Sequence, residues 1–180
     1  MNHGLDGLQD STEVGKKSKP SQKSVMQTKK EQQSVPEGYK QTAVGVIPEE
    51  WEIKRLKEIL TEARLGGNYE NEESNHGVPI IKMGNIGRGT IKLDKIQNLP
   101  ENAVYDDEDI LNYGDLLFNT RNTLELVGKV AIWKNELPFA LYNSNILRMK
   151  FDETSVKSNF FMNYVFNSYY TLSRLKGVAT

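Results

Sequence analysis

Short apolar runs separated by polar loops recur through the second half of the chain and predict a β-sheet. Residues 116–118 and 127–133 predict two strands, because both runs are rich in bulky apolar residues and the second in β-branched and aromatic ones. A Gly-Asp pair at 114–115 indicates a turn before the first strand, and Gly128 lets the chain bend as the second begins. The polar loop NTRNT, residues 119–123, joins the two strands.

Four further segments carry strand patterns. Residues 78–83 are apolar apart from one lysine, residues 91–99 alternate, and Trp51 alternates with Ile53. Residues 139–151 predict one strand or two, with a polar break at 143–145. Strands therefore account for most of the regular structure that the sequence predicts.

Helices are predicted at two places. An apolar spacing of three and four residues predicts a helix from residue 56 to 63, ended by the glycine pair at 66–67. Ser158 is a candidate N-cap for a closing helix. We expect the apolar stripe of that helix to face the core; it comprises Phe161, Tyr164, Val165, Tyr169, Leu172 and Leu175. Together these patterns predict an α+β domain with a mixed or antiparallel sheet and flanking helices.

The first 38 residues differ from the rest in composition. They are rich in Ser, Lys, Gln and Gly and hold few large apolar side chains, so they cannot offset the entropy of ordering. We expect a disordered tail over residues 1–38 and one domain over residues 39–180.

Composition excludes several kinds of protein. The chain has no cysteine, which excludes disulfides and thiolate metal sites, and its two histidines are far apart, so no metal or cofactor is expected. It lacks an apolar run of about eighteen residues and a signal-peptide pattern, so we expect a cytoplasmic protein with no membrane span. Residues 39–180 carry 17 Lys and Arg against 19 Asp and Glu. That balance lacks the basic footprint of a stand-alone DNA-binding domain.

Four stretches resemble one known family in the order in which that family carries them. They are YKQTAVGVIPEEWEIKRLKEI (39–59), VPIIKMGNIGRG (78–89), GDLLFNTRN with VGKVAIW (114–133), and NSNILRMKF with FFMNYVF (143–166). The chain resembles a target-recognition domain of the DNA-specificity subunit of type I restriction–modification systems. The resemblance implies a non-catalytic protein that reads one half of a bipartite site on double-stranded DNA. Partner methyltransferase and restriction subunits would carry out methyl transfer and cleavage.

Candidate DNA-reading residues lie in loops next to these motifs and have side chains suited to base edges, Arg to guanine and Asn to adenine. They are Arg121, Asn122, Asn119, Arg88, Asn85, Asn143 and Asn145. Three others are expected to contact phosphates or to pack: Lys82, Lys92 and Tyr142. An ordinary polar hairpin loop remains the alternative for residues 119–123.

The last residues, 176–180, resemble the start of a turn that leads into the family's spacer helix. We therefore expect a half or truncated subunit that binds a methyltransferase partner poorly. Loss of a spacer would expose an apolar patch at Tyr169, Leu172 and Leu175 and favour self-association.

Other functions remain open. The acidic balance favours a protein-interaction or decoy module of the same fold. Glu52 and Lys54 have the spacing of a metal-dependent nuclease motif. The long loop at 66–77 holds Asn68, Tyr69, Asn75 and His76, but its three glutamates would repel phosphates, so we expect a solvated loop.

Overall fold

The computed structural model describes residues 34–121, 123 and 126–178. These residues fall into two compact units, which meet in sequence between Trp51 and Glu52. In the first unit, strand β1 (Tyr39–Thr42) pairs antiparallel with β2 (Gly45–Pro48). Most of the predicted tail lies outside the described residues, and the domain boundary before Tyr39 stays a prediction.

The second unit holds the remaining helices and strands. They are α1 (Leu56–Ile59), β3 (Leu60–Leu65), β4 (Val78–Ile81), β5 (Gln97–Leu99), β6 (Leu116–Asn119), β7 (Val130–Ile132), β8 (Leu141–Tyr142), β9 (Ile146–Phe151), α2 (Asn159–Phe166) and α3 (Tyr169–Val178). Short 3₁₀ turns cover Met83–Asn85 and Asp107–Asp109.

Two sheets organise the described part of this unit. One has the order β3-β9-β6-β7 with antiparallel neighbours throughout, and the other has the order β5-β4-β8. In the second sheet β4 is antiparallel to β5 and parallel to β8. The predicted α+β class with a mixed sheet is confirmed.

The antiparallel sheet is covered on both faces, because successive side chains of a strand point to opposite sides. Leu116 joins a core cluster with Met162 and Phe166 of α2. Its neighbour Leu117 joins a cluster with Ile81 and Tyr142 of the mixed sheet. Helix α2 and the mixed sheet therefore enclose the antiparallel sheet between them.

The predicted helix over 56–63 is wrong in its second half. Helix α1 ends at Ile59, Leu60 adopts extended backbone angles, and β3 pairs antiparallel with β9. The pairing partner lies about ninety residues away, so the local apolar spacing could not reveal it. The strand expected at Trp51 and Ile53 does not form, and the one expected over 91–99 is reduced to β5.

The predicted stripe of the closing helix is also partly wrong. Ser158 does cap α2, accepting a hydrogen bond from the Phe161 amide, but the chain breaks between Phe166 and Tyr169 into two helices. The side chains that face inward also differ from the predicted stripe. Phe161, Tyr164 and Tyr169 are 64%, 78% and 88% exposed, whereas Met162 and Phe166 are buried.

Candidate nucleic-acid interface

Strand pairing brings three polar loops of the described chain together at one end of the strands. We name them the glycine turn (residues 82–90, after β4), the hairpin loop (the described residues 119–121 and 126–129, between β6 and β7) and the amide turn (143–145, between β8 and β9). Strands β4 and β8 are parallel, so the glycine turn and the amide turn leave the sheet at the same end. Asn119 at the end of β6 pairs with Ile146 at the start of β9. This pairing places the start of the hairpin loop beside the amide turn.

The hairpin loop is tied to the amide turn through one carbonyl. The backbone amide of Thr120 donates to the carbonyl of Asn145 at 3.0 Å, and its hydroxyl donates to the same oxygen at 2.9 Å. The backbone amide of Asn143 donates in turn to the carbonyl of Ile81, the last residue of β4, at 3.1 Å. The three loops are thus linked by direct hydrogen bonds.

Asn85 is buried and shapes the glycine turn. Its Oδ1 accepts from the Lys82 amide at 2.9 Å, and its Nδ2 donates to the carbonyls of Lys92 and Asp94 at 3.0 and 3.3 Å. A buried amide needs such partners, since an unpaired one is costly. The Asn85 side chain thus shapes the fold of the turn, and the base-reading role expected for Asn85 stays a prediction.

Asn119 and Asn143 have the same kind of role. The Asn119 side chain donates to the Met83 carbonyl at 3.3 Å and accepts from the Arg121 amide at 3.1 Å. Asn143 accepts from the Asn145 amide at 3.2 Å. Both residues are less than a tenth exposed. Both side chains therefore brace the loops, and the reading role expected for them stays a prediction.

Tyr142 is a core residue. Its side chain is fully buried, its hydroxyl donates to the Arg64 carbonyl at 3.5 Å, and its ring centre lies 5.3 Å from the guanidinium carbon of Arg148. Tyr142 thus packs in the core, and the DNA contact expected for it stays a prediction. Lys82 is half-buried, and its ammonium donates to the side-chain oxygens of Asn71 and Gln97 at 2.9 and 2.6 Å.

The remaining described candidates lie at the surface of the loop cluster. Arg88, Lys92 and Arg121 are exposed, and Asn145 is half-buried. Arg88 donates to the Val127 carbonyl at 3.4 Å, which links the glycine turn to the hairpin loop. Asn122 lies outside the described residues. The cluster thus presents cations and an amide above a layer of buried, hydrogen-bonded asparagines.

Sequence reasoning missed the residues that join the loops to the rest of the fold. They are Thr120, Asn163 of α2 and Asn167, which directly follows α2. Asn163 donates to the Gly89 carbonyl at 3.0 Å, and Asn167 donates to the Val130 carbonyl at 3.1 Å. The signal was weak, because an asparagine in a helix gives no periodic pattern of its own.

A network of charged side chains surrounds Arg148 in β9 of the antiparallel sheet. Arg148 is 3% exposed and has carboxylate oxygens of Glu62, Glu108 and Asp115 within 3.5, 3.8 and 3.6 Å. Burial raises the pKa of the Asp115 carboxyl, while the hydrogen bond from Lys150 lowers the pKa of Glu62.

The loop at 66–77 is anchored to the fold at Tyr69, while its three glutamates are exposed. Tyr69 is half-buried and donates to the carboxylate of buried Asp109, which Arg64 also contacts at 3.2 Å. Gly66 is required because a side chain there would overlap the Tyr142 carbonyl.

Among the residues that the structure describes, no group of three or more His, Asp or Glu side chains is placed to hold a metal ion. Lys54 of the nuclease-like spacing donates to the Ser155 hydroxyl at 3.0 Å. A cleft of about 750 Å³ lies between the start of α2 and β9, lined by Asp115, Lys150 and Lys157 among others. No helix in the described part is long and apolar enough to cross a membrane.

Residues 48–180 match the family model for the type I restriction modification DNA specificity domain. The chain belongs to this family. The match covers both sheets, α2, α3 and the three loops, so the family's domain includes the whole candidate interface.

Two curated members of the specificity subunit family are similar to the chain. The putative type I restriction enzyme MjaX specificity subunit of Methanocaldococcus jannaschii is 32% identical over 125 residues, which is 67% of this chain and 29% of that protein. The MjaVIII specificity subunit of the same organism is 29% identical over 96 residues, 52% of this chain and 22% of that protein. The chain thus spans under a third of the length of these relatives.

One solved structure supports the fold. The HsdS subunit of Thermoanaerobacter tengcongensis aligns with a TM-score of 0.50 at 16% identity, over 80% of this chain and 33% of that chain. At that identity the similarity concerns the fold alone.

Proposed function

We propose that this domain reads a short DNA sequence, one half of a bipartite target, and directs partner methyltransferase and restriction subunits to it. The observation that supports this most is the loop cluster of a DNA specificity domain, in which three loops from different strands are braced into one surface. The major groove offers a distinct donor and acceptor pattern at each base pair, which exposed Arg and Asn side chains can read. The domain itself is proposed to be non-catalytic.

The proposed contacts follow the exposure of the candidates. Arg121 and Asn145 are proposed base readers. Asn122 is also a proposed reader, on the basis of the sequence alone. Arg88 and Lys92 are proposed phosphate contacts, because phosphate attraction needs exposed cations.

Replacing Arg121 tests the proposal. Arg121→Ala should cost about 1–3 kcal/mol of binding free energy at one base position and relax the preference there. The measurement is selection from a randomised duplex library followed by titration of the selected duplexes. Arg174→Ala is the matched control, because it removes the same charge at an exposed residue of α3 that belongs to none of the three loops. An equal loss on every sequence would make Arg121 a phosphate contact, and no loss would return the hairpin loop to an ordinary polar turn.

A protein-interaction module is the second candidate, favoured by exposed aromatic side chains on α2 and α3. Phe161, Tyr164 and Tyr169 are each more than three-fifths exposed, and such side chains are typical of protein interfaces.

Self-association through Tyr169 stays a prediction. Leu172 and Leu175 are half-buried and approach Gly128, so the expected patch is smaller than the sequence indicated. Sedimentation over a concentration series tests it: a constant monomer mass would rule self-association out.

A further inference from the structure

The hydrogen bonds around Thr120 connect two proposed base readers that are 24 residues apart in the chain. Arg121 follows Thr120 directly, and Asn145 supplies the carbonyl that accepts both the amide and the hydroxyl of Thr120, at 3.0 and 2.9 Å. Two donors on one oxygen fix both the distance and the rotation between the hairpin loop and the amide turn.

The buried side chains of Asn119 and Asn143 hold the backbones of the two proposed readers. The Arg121 amide donates to Oδ1 of Asn119 at 3.1 Å, and the Asn145 amide donates to Oδ1 of Asn143 at 3.2 Å. Each proposed reader therefore has its backbone held by the asparagine two residues before it. Among the described residues, the guanidinium of Arg121 and the side-chain amide of Asn145 have no hydrogen-bond or ion-pair partner. The backbones are held while the side chains remain available to a ligand.

We propose that Asn119 and Thr120 are positioning residues that make Arg121 and Asn145 a single specificity-determining unit, which reads neighbouring base pairs together. This inference rests on the DNA-reading function proposed above. A base-edge contact needs its donor placed to within a fraction of an ångström, so two rigidly linked backbones couple the two readings. Neither positioning side chain needs to touch DNA.

Thr120→Val is the decisive variant, because valine has the shape of threonine and removes only the hydroxyl. Thr120 is exposed, so the folded state should survive the change. Thr120→Ser keeps the hydroxyl and should restore the wild-type behaviour. Thr61→Val, at an exposed threonine of β3, is the matched control.

The measurement uses the full chain and a randomised duplex library, with the preference ratio determined at every base position. We expect wild type to show preferences at two neighbouring positions, one lost in Arg121→Ala and the other in Asn145→Ala. Thr120→Val should reduce both preferences by about two- to tenfold, the factor that one hydrogen bond carries. Its melting temperature and its affinity for non-specific duplex should stay at the wild-type values. Asn119→Ala should chiefly weaken the preference assigned to Arg121.

A double-mutant cycle gives an independent readout. On the wild-type background, Arg121→Ala and Asn145→Ala should be non-additive in base preference, and on the Thr120→Val background they should become additive. Additivity in both backgrounds, or a Thr120→Val protein with both preferences intact, would overturn the coupling while leaving the DNA-reading function standing. A wild-type chain without any base preference would overturn the function and the coupling together.

Discussion

Amide side chains carry two different roles in this domain, and burial separates them. Asn85, Asn119 and Asn143 are each less than a tenth exposed, and their side chains form hydrogen bonds with neighbouring backbone groups. Asn145 sits at the surface with only its backbone engaged in the bonds described. A loop rich in asparagine is thus partly a scaffold, because a polar loop over a packed sheet must satisfy its own buried donors and acceptors.

Arg148 is the residue whose loss should cost most stability among the charged side chains described. Arg148→Met would leave the carboxylates of Asp115 and Glu62 without their buried cation, and breaking a buried pair on one side costs about 3–5 kcal/mol. Urea unfolding measures the change. Lys150→Met, at a side chain 47% exposed, is the control and should cost about 1 kcal/mol or less. A stable Arg148→Met protein would mean that the methionine packs well enough to replace the network.

Glu62 should make stability depend on acid pH. The hydrogen bond from Lys150 lowers the pKa of the Glu62 carboxyl below its ordinary value of 4.5. The folded state therefore favours the charged form, and its stabilising contribution is complete above pH 4.5 and is lost as the pH falls through the lowered pKa. Melting temperatures from pH 7 to pH 3 should fall less steeply for Glu62→Gln than for wild type. Glu101→Gln, at an exposed glutamate, should follow wild type; identical slopes for all three proteins would contradict the prediction.

At the scale of elements, helices α2 and α3 support the loops from behind. The side chains of Asn163 and Asn167 donate to the carbonyls of Gly89, in the glycine turn, and of Val130, at the start of β7. Leu172 and Leu175 of α3 approach Gly128 at the end of the hairpin loop. Strand ends set where the loops begin, and the helix pair limits how far they can move.

A pair of glycine substitutions tests this support. Gly128 has a φ of 75°, and a side chain there would lie 3.0 Å from atoms of Leu172 and Leu175. Gly128→Ala should therefore destabilise the domain by more than about 1 kcal/mol. Gly177→Ala, inside α3 with open space around it, should instead stabilise by up to about 1 kcal/mol. Urea unfolding distinguishes the two, and a neutral Gly128→Ala would show that the loop accommodates a side chain.

At the scale of the whole molecule, charge limits the affinity for DNA. Residues 39–180 hold 17 basic against 19 acidic side chains, so attraction to phosphates must come from a local surface. Arg88, Lys92 and Arg121 are exposed cationic side chains on the loop cluster.

Binding to duplex DNA should therefore be weak and sensitive to salt. If three cations each neutralise one phosphate, the affinity should fall about fortyfold between 50 and 200 mM salt. Fluorescence anisotropy over a salt series measures the slope. Lys92→Ala should reduce that slope by about one, and Lys57→Ala on α1 should leave it unchanged. Tight binding that does not respond to salt would contradict the prediction.

The local pattern of the chain was enough to predict several elements and the family. The strands β4, β6 and β7, the break between β8 and β9 and the Ser158 cap follow from short-range periodicity and turn residues, which are properties of neighbouring positions. Four ordered motifs indicated the specificity family, and the family match over residues 48–180 confirms it.

Tertiary structure alone decided which side of each element faces inward. Leu60 leaves a helical pattern to pair with Phe151, and the closing helix breaks before Tyr169 and exposes three of the aromatic residues assigned to its core stripe. The same holds for the candidate site: Asn119 and Asn145 look alike in sequence, yet one is buried beneath the hairpin loop and the other lies at the surface. Burial depends on strands and loops that are distant in sequence, so no local pattern carries that information.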